Sequence, residues 1–407
     1  MSQSTVQNEG TRMPLHMRRD GIDPVPELGA HRSDDEIPVI TTTFGTQAYL
    51  VTRYEDVREV LGDAATFGNT ADLRRRQGGA MAEISDEEAA RMRAGQLLAQ
   101  DPPDHTRLRR MLTREFTQKR MRMLEPRITE IVDARLDAME QAGPPADLVA
   151  DFALPIPSLV ICELLGVPYA DRAEFQSRSN RLLDLSRDPE DRLAAGRENR
   201  AYMSQLCADA RANPGDDILG ALVRDHGDDL THDELTGIAG LLLIAGHETT
   251  SNMLGLGTLA LLQRPEQAAL VRDDPDMTRA GVEELMRFLS IVHSGVPRLV
   301  MRDTEIRGTA IPKDSLVLCS LPAANRDPEQ IDRPDELDVS RGAAGHVAFG
   351  HGVHHCLGAP LARMEMETAF PALLRRFPAL APAVSDEDVE FRSFHFIYGL
   401  RSLPVTW

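Results

Sequence analysis

The residues with most to say about chemistry lie in one short stretch, Phe349-Gly350-His351-Gly352-Val353-His354-His355-Cys356-Leu357-Gly358. Two closely spaced glycines permit a tight turn with positive φ. Cys356 then stands at the N-terminus of a helix predicted to begin at Leu357, where backbone N–H groups and the helix dipole favour an anionic sulfur. Gly358 removes a side chain where a flat ligand would approach the backbone, and Phe349 offers an apolar face on the other side of the loop. The remaining cysteines, at 162, 207 and 319, are far apart and have the neighbours of ordinary buried thiols. Four cysteines spaced in this way make no disulfide framework. Two metal readings compete for Cys356. Zinc would draw on His351, His354, His355 and Cys356, which are crowded along one loop and close a tetrahedron poorly. Haem iron needs only the sulfur, and a thiolate ligand pushes electron density onto the iron in favour of O–O cleavage.

Three further groups bear on that choice. In Ala245-Gly246-His247-Glu248-Thr249-Thr250, an acid, two hydroxyls and a glycine interrupt an apolar run. Ser and Thr can bond back to the i−4 carbonyl and bend a helix locally. Oxygen activation consumes two protons, and a carboxylate beside a hydroxyl can relay them. The pair in Glu284-Leu285-Met286-Arg287 lies on one helical face, a weak signal taken alone. Haem also brings two carboxylates that need basic donors when buried. His105 and Arg109, one helical turn apart, could supply them.

These groups need a scaffold, and the chain is long enough to provide one. It has 407 residues and a net charge of −19, from 45 Lys and Arg against 64 Asp and Glu. Such a surface argues against nucleic acid or an anionic membrane as general partners. No apolar run approaches the ~18 residues of a membrane span, and the first residues carry no leader-like apolar stretch. A cytoplasmic protein is expected. Repeats and long linkers are absent, so we expect residues 1–36 to be an irregular N-terminal segment and 37–407 to be one domain. Ile37 to Thr43 and Ala48 to Thr52 alternate like two strands, and a helix is expected from Tyr54 to Leu61. Residues 63–100 have no clear periodicity and read as loop. Most of 105–285 is helical by apolar spacing, broken at Gly143-Pro144-Pro145, Gly166-Val167-Pro168 and Pro214-Gly215. Its longest element starts near Thr231 and ends before Pro265, about 30 residues or ~45 Å. Short β-prone runs follow (Leu299 to Ile311, Leu316 to Ser320), then a Pro- and Asp-rich meander over 322–345. A helix is expected from Leu357 to Phe377 and a strand-like tail after it. The class is mainly α with small β-sheets.

Taken together, these motifs resemble the cytochrome P-450 superfamily. Its haem-binding signature, Phe-Gly-x-Gly-x-His-x-Cys-x-Gly, is matched at every fixed position of 349–358. The likeness extends from about residue 35 to Trp407, and Asp101–Met111, Leu154–Tyr169 and Gly345–Arg363 look most like an actinobacterial subgroup acting on macrolides, other polyketides, terpenoids and xenobiotics. The resemblance implies a single-domain P-450 fold with a long central helix crossing over heme b (iron protoporphyrin IX). Cys356 becomes the iron ligand, Glu248 and Thr249 the acid–alcohol pair, and His105, Arg109, Arg298 and His354 the propionate partners. Phe349, Gly350, Gly358 and Ala245 surround the cofactor. Glu284 and Arg287 become a structural pair anchoring the meander. The family usually adds an Arg within that meander, but the aligned position here holds Glu336, leaving Arg341 and Arg326 as candidates. A pocket for an apolar ligand would draw on 70–98, 171–195, Leu242, Leu243, Ala245, Ile291 to Val296 and Phe394 to Ile397.

The implied activity is a monooxygenase, a monomer that hydroxylates or epoxidises a hydrophobic small molecule with dioxygen. Arg107, Arg110, Arg114, Lys119, Arg120 and Arg122 form a basic cluster where, in the family, an acidic ferredoxin docks. No nucleotide-binding fingerprint is present, so electrons come from a ferredoxin and its NAD(P)H-dependent reductase. A haem-binding sensor is the rival within the cofactor reading, and it has no use for a proton relay at Glu248 and Thr249.

Overall fold

The computed structural model describes residues 13–69, 84–342 and 345–407. The helix His232–Leu262 is the axis of the molecule. Thr231 starts it with a reciprocal cap: its hydroxyl accepts from the Glu234 amide while the Glu234 carboxylate accepts from the Thr231 amide. Most of its residues are buried, the pattern of a helix surrounded by protein. Glycines let neighbours come close. A Cβ on Gly246 would lie 2.8 Å from Ile161, on the helix Pro155–Leu165. One on Gly257 would lie 2.5 Å from Phe370, on the helix Ala359–Arg376 that follows Cys356. The central helix is therefore wedged between its partners without spare volume.

A five-stranded sheet stands beside the helices, in the order Val39–Thr41, Gln47–Val51, Leu316–Cys319, Val296–Val300, Phe67–Gly68. Only the pair Gln47–Val51 and Leu316–Cys319 runs parallel. Arg298 sits opposite Val317 in this sheet, so its position is fixed by backbone register. A three-stranded sheet joins Ala381–Pro382, Pro404–Thr406 and Ala146–Asp147, tying the chain's end to its middle.

Three expectations change. Residues 63–100 contain a helix, Asp86–Arg93, capped by Ser85. Only Ala89 of this helix is buried, so no apolar periodicity marks it. Residues 70–83 lie outside the described part. The segment expected to be irregular, 1–36, holds a short hairpin and the helix Pro26–Ala30 within its described part, with Met17 and Leu28 buried. The cysteine helix begins at Ala359 and not at Leu357.

The meander is held by one buried ion pair. Arg287 uses all five of its N–H donors: Nε and Nη2 reach the Glu284 carboxylate, Nη1 reaches the Asn325 and Pro334 carbonyls, and Nη2 reaches the Glu336 carbonyl. The open question of the third partner resolves to Arg341, whose Nε lies 3.4 Å from Glu284 Oε1. Arg326 instead stacks 3.8 Å over Phe288 and pairs with Asp23 and Asp335. Glu284→Ala strands a buried guanidinium and is expected to destabilise the protein by about 3–5 kcal/mol in denaturant titration. A change below about 1 kcal/mol would show that the meander is held by something else.

Candidate active site

The cysteine loop is a turn of backbone hydrogen bonds. Gly350 N donates to Val347 O, His355 N to Gly352 O, and Cys356 N to Phe349 O at 2.9 Å. Gly350 and Gly352 have φ of 73° and 70°, in the left-handed region open to glycine. A Cβ on Gly352 would stand 2.3 Å from the Leu61 carbonyl, so that position is closed on both grounds. Burial pushes the Cys356 thiol up, while the amides of Gly358 and Ala359 and the charges of Arg109 and Arg363 pull it down. Burial outweighs these, so the thiol ends above its ordinary value, with the amides and the two guanidinium groups favouring the anion.

Behind the sulfur, Phe349 is fixed by charge. The Arg363 guanidinium lies 4.6 Å over its ring, and the His346 and His355 rings are 5.8 and 6.2 Å from it. Glu283 joins this cluster together, bonding Arg363 Nη2 at 2.9 Å and lying 3.2 Å from His346 Nε2. Glu283 and Arg363 carry no mark in a linear reading: Glu283 is simply the neighbour of Glu284.

The four basic residues expected at the propionates come together. The His105 and His354 rings are 4.2 Å apart, Arg109 Nη2 donates to His355 O at 2.6 Å, and Arg298 lies close enough for its charge to act on His354. His354 Nε2 is 2.7 Å from Asn69 Nδ2, whose backbone amide donates to Asp101. Asn69 was not foreseen; a lone polar residue near a strand end gives no local signal.

Along the central helix one strip is open. Ala245 is exposed, and Leu241, Ile244 and Thr249 are half-buried, at the 3–4 residue spacing of a single face. Leu242 and Leu243, expected in the pocket, face the core at 8% and 0% exposure; the open face belongs to Leu241 and Ile244 instead. Thr249 Oγ1 donates to the Ala245 carbonyl at 2.7 Å, as the back-bonding argument predicts, and the helix runs on unbroken. Glu248 lies off the strip. Its Oε2 accepts from Arg392 at 3.2 Å, and His247 Nε2 is 3.6 Å from its Oε1. Burial raises the Glu248 carboxyl, but His247 and the Arg392 charge outweigh it and hold it at about 2. Of the other pocket segments, Val292, Ser294 and Val296 are half-buried, alternating with buried neighbours, and Phe394, Phe396 and Ile397 are half-buried too.

These features fit haem. Both ring nitrogens of His105 are buried without a hydrogen-bond partner, and the one that carries the proton is a donor that a carboxylate can accept from. A Cβ on Gly358 would touch no protein atom within 4 Å, leaving room against the backbone. The zinc reading fails on geometry, because among the described residues no three His, Cys, Asp or Glu side chains converge.

Comparison with known proteins decides the family. A family model described as Cytochrome P450 matches residues 208–400. "Cytochrome P450 FAS1" of Rhodococcoides fascians is 51% identical over 397 residues, covering 97% of this chain and 98% of that protein. The chain belongs to the cytochrome P450 family. Pentalenic acid synthase of Streptomyces avermitilis is 48% identical over 79% of this P450 and 80% of its own length. The crystal structure of CYP105P1 in complex with filipin I superposes with a TM-score of 0.88 at 40% identity, covering 96% and 97% of the two chains. The protein is thus a monooxygenase with heme b as cofactor, of the actinobacterial branch. Among the described residues no helix is long and apolar enough to cross a membrane.

The cluster at Glu283 makes a prediction about acid stability in this P450. Burial raises the Glu283 carboxyl, but Arg363 and His346 hold it down at about 2, against an ordinary value of 4.5. A depressed folded-state value stabilises the protein above about pH 4.5, and that contribution drains away as pH falls towards about 2. Glu283→Gln should therefore flatten the fall of the denaturant midpoint across this window. An unchanged slope would contradict the assignment.

Proposed function

We propose that this cytochrome P450 takes electrons from a ferredoxin and its NAD(P)H-dependent reductase and oxidises a hydrophobic small molecule of the macrolide, polyketide, terpenoid or xenobiotic kind. The observation that carries this reading is the open strip on an otherwise buried helix. Leu241, Ile244, Ala245 and Thr249 present apolar surface and one hydroxyl, with Val292, Val296, Phe394 and Ile397 among the half-buried residues of the other pocket segments. Such a lining suits a large apolar ligand with few polar handles. Relatives named for pentalenic acid synthesis and for a filipin complex support the same class.

When bound, haem supplies the reductive activation of dioxygen and the insertion of one oxygen atom into the substrate, with Cys356 as the thiolate ligand that favours this chemistry. His105, Arg109, Arg298 and His354 would hold the two propionates by charge-assisted hydrogen bonds. Phe349, Gly350 and Gly358 shape the loop around the sulfur, and Ala245 puts only a methyl group on the exposed strip of the central helix, which would leave room for the cofactor. Thr249 has its hydroxyl on the open strip, and Glu248 adjoins it in sequence. This pair is the relay that brings protons in from the protein. A haem-binding sensor would need no such pair. The described part of 1–36 packs into the same core as 37–407, and the protein works as one domain and a cytoplasmic monomer.

Electron entry is assigned to the surface around Arg109, which bonds the cysteine loop at the His355 carbonyl. Arg110, Arg114, Lys119 and Arg122 are exposed there, whereas Arg107 is paired with Glu234 and Arg120 with Glu115. Basic charge on a protein of net −19 gives an acidic ferredoxin a directed approach.

Two experiments test these roles with a surrogate ferredoxin and reductase. Thr249→Ala should go on consuming reducing equivalents but release peroxide in place of product; a variant that stays tightly coupled removes Thr249 from the relay. Reduction of the protein should slow as salt is added, and the double variant Arg110→Glu, Arg122→Glu should slow it roughly tenfold or more at low salt. Salt-independent reduction, unchanged in that variant, would place the docking surface elsewhere.

A further inference from the structure

Glu248 is held from outside its own helix. Arg392 donates from Nη1 to Glu248 Oε2 at 3.2 Å, while its Nη2 reaches Asn180 Oδ1 at 2.7 Å and His395 Nε2 at 2.6 Å. Asn180 belongs to the helix Arg172–Leu183, Glu248 to the central helix, and His395 to the C-terminal turn, so one guanidinium joins three elements. Backbone pairing repeats the connection. Leu185 N donates to Phe394 O and Phe396 N to Leu183 O, both at 3.0 Å, and Asp184 faces His395 in an antiparallel bridge. Arg392 can only donate, so His395 Nε2 accepts and the proton of a neutral ring falls to Nδ1, which lies 2.9 Å from the Ile397 carbonyl and 3.2 Å from the Ile397 amide. His395 is thereby an acceptor built to keep Arg392 in place.

We infer that Arg392 is a positioning residue for proton delivery, holding Glu248 off the open strip and tying its release to the joint movement of the C-terminal turn and the helix Arg172–Leu183. The inference rests on the reading of Glu248 as the relay acid. A relay carboxyl must take up a proton, and a salt bridge opposes that. Among the described residues, the groups bearing on Glu248 are His247 on its own helix and Arg392 and His395 on the turn, with Asp184 acting on His395. If the turn lifts, Arg392 leaves with it. His247 stays beside the carboxyl, but the Arg392 charge no longer holds it down, and the proton affinity of Glu248 rises. The segments at both ends of this contact, 183–185 and 394–397, lie in regions expected to meet substrate, so occupancy of the pocket and readiness of the acid become one event.

The test uses the full-length holoprotein, with Arg392→Met, Arg392→Lys and Glu248→Gln. Hydrogen–deuterium exchange at the Leu185 and Phe396 amides should accelerate roughly tenfold in both Arg392→Met and Glu248→Gln and return towards wild type in Arg392→Lys. The Leu50 amide, bonded to Pro38 O in the distant sheet, should keep its rate and so report an intact fold. NAD(P)H consumption with a surrogate ferredoxin should also gain an acidic limb in Arg392→Met that wild type lacks, because Glu248 then titrates within reach. Unchanged consumption in Glu248→Gln at every pH would sink the relay reading and this inference with it. Altered consumption in Glu248→Gln, without faster exchange at Leu185 and Phe396 in either variant, would leave the relay standing and overturn the coupling alone.

Discussion

The buried pair between Glu284 and Arg287 is the interaction on which the cysteine loop depends. Taking two charges out of water is expensive, and it is tolerated only where the remaining hydrogen-bonding capacity is met. Here Arg287 meets it with three carbonyls of the meander, at Asn325, Pro334 and Glu336. Asn325 carries the constraint onward: its Oδ1 accepts from the Val347 amide at 2.8 Å, and its Nδ2 bonds Ser290 Oγ. Val347 O receives the Gly350 amide, and Phe349 O receives that of Cys356. A path of hydrogen bonds, joined through the Phe349–Gly350 peptide bond, thus runs from a helical ion pair to the residue that bears the sulfur. A charge pair remote from the chemistry sets where the chemistry happens.

Around that fixed point the protein uses arginine in two ways. On the sulfur side, Arg363 is locked between Glu283 and the Phe349 ring, elements that belong to packed helices and a tight loop. Nothing there is built to move. Across the central helix, Arg392 links Glu248 to a turn and to the end of a helix, elements joined to each other by only a few backbone bonds. The contrast suits a monooxygenase, whose cofactor must be rigid while its substrate pocket opens and closes.

Much of this was legible in the chain because the signals are local. The cysteine loop is ten residues long, its two positive-φ glycines are needed by the turn itself, the Thr231 cap lies where the central helix starts, and the breaks at Gly143 and Gly166 lie where helices stop. What escaped depends on long-range geometry. Arg392 reaches Glu248 across 144 positions, and Glu283 gained its role only when Arg363 folded against it. The helix Asp86–Arg93 escaped because it buries one residue and so writes no period. Leu242 and Leu243 were misplaced by a single helical step: with 100° between successive residues, the apolar run alone did not say which face would be open.

The whole arrangement depends on Cys356 as the thiolate ligand of haem iron. The direct measurement is the absorption spectrum of the purified, reduced protein under carbon monoxide, beside that of Cys356→Ser. A strongly red-shifted Soret band in the first, absent from the second, is the predicted result. A variant that keeps the red-shifted band, or a wild-type protein that never shows one, would contradict it.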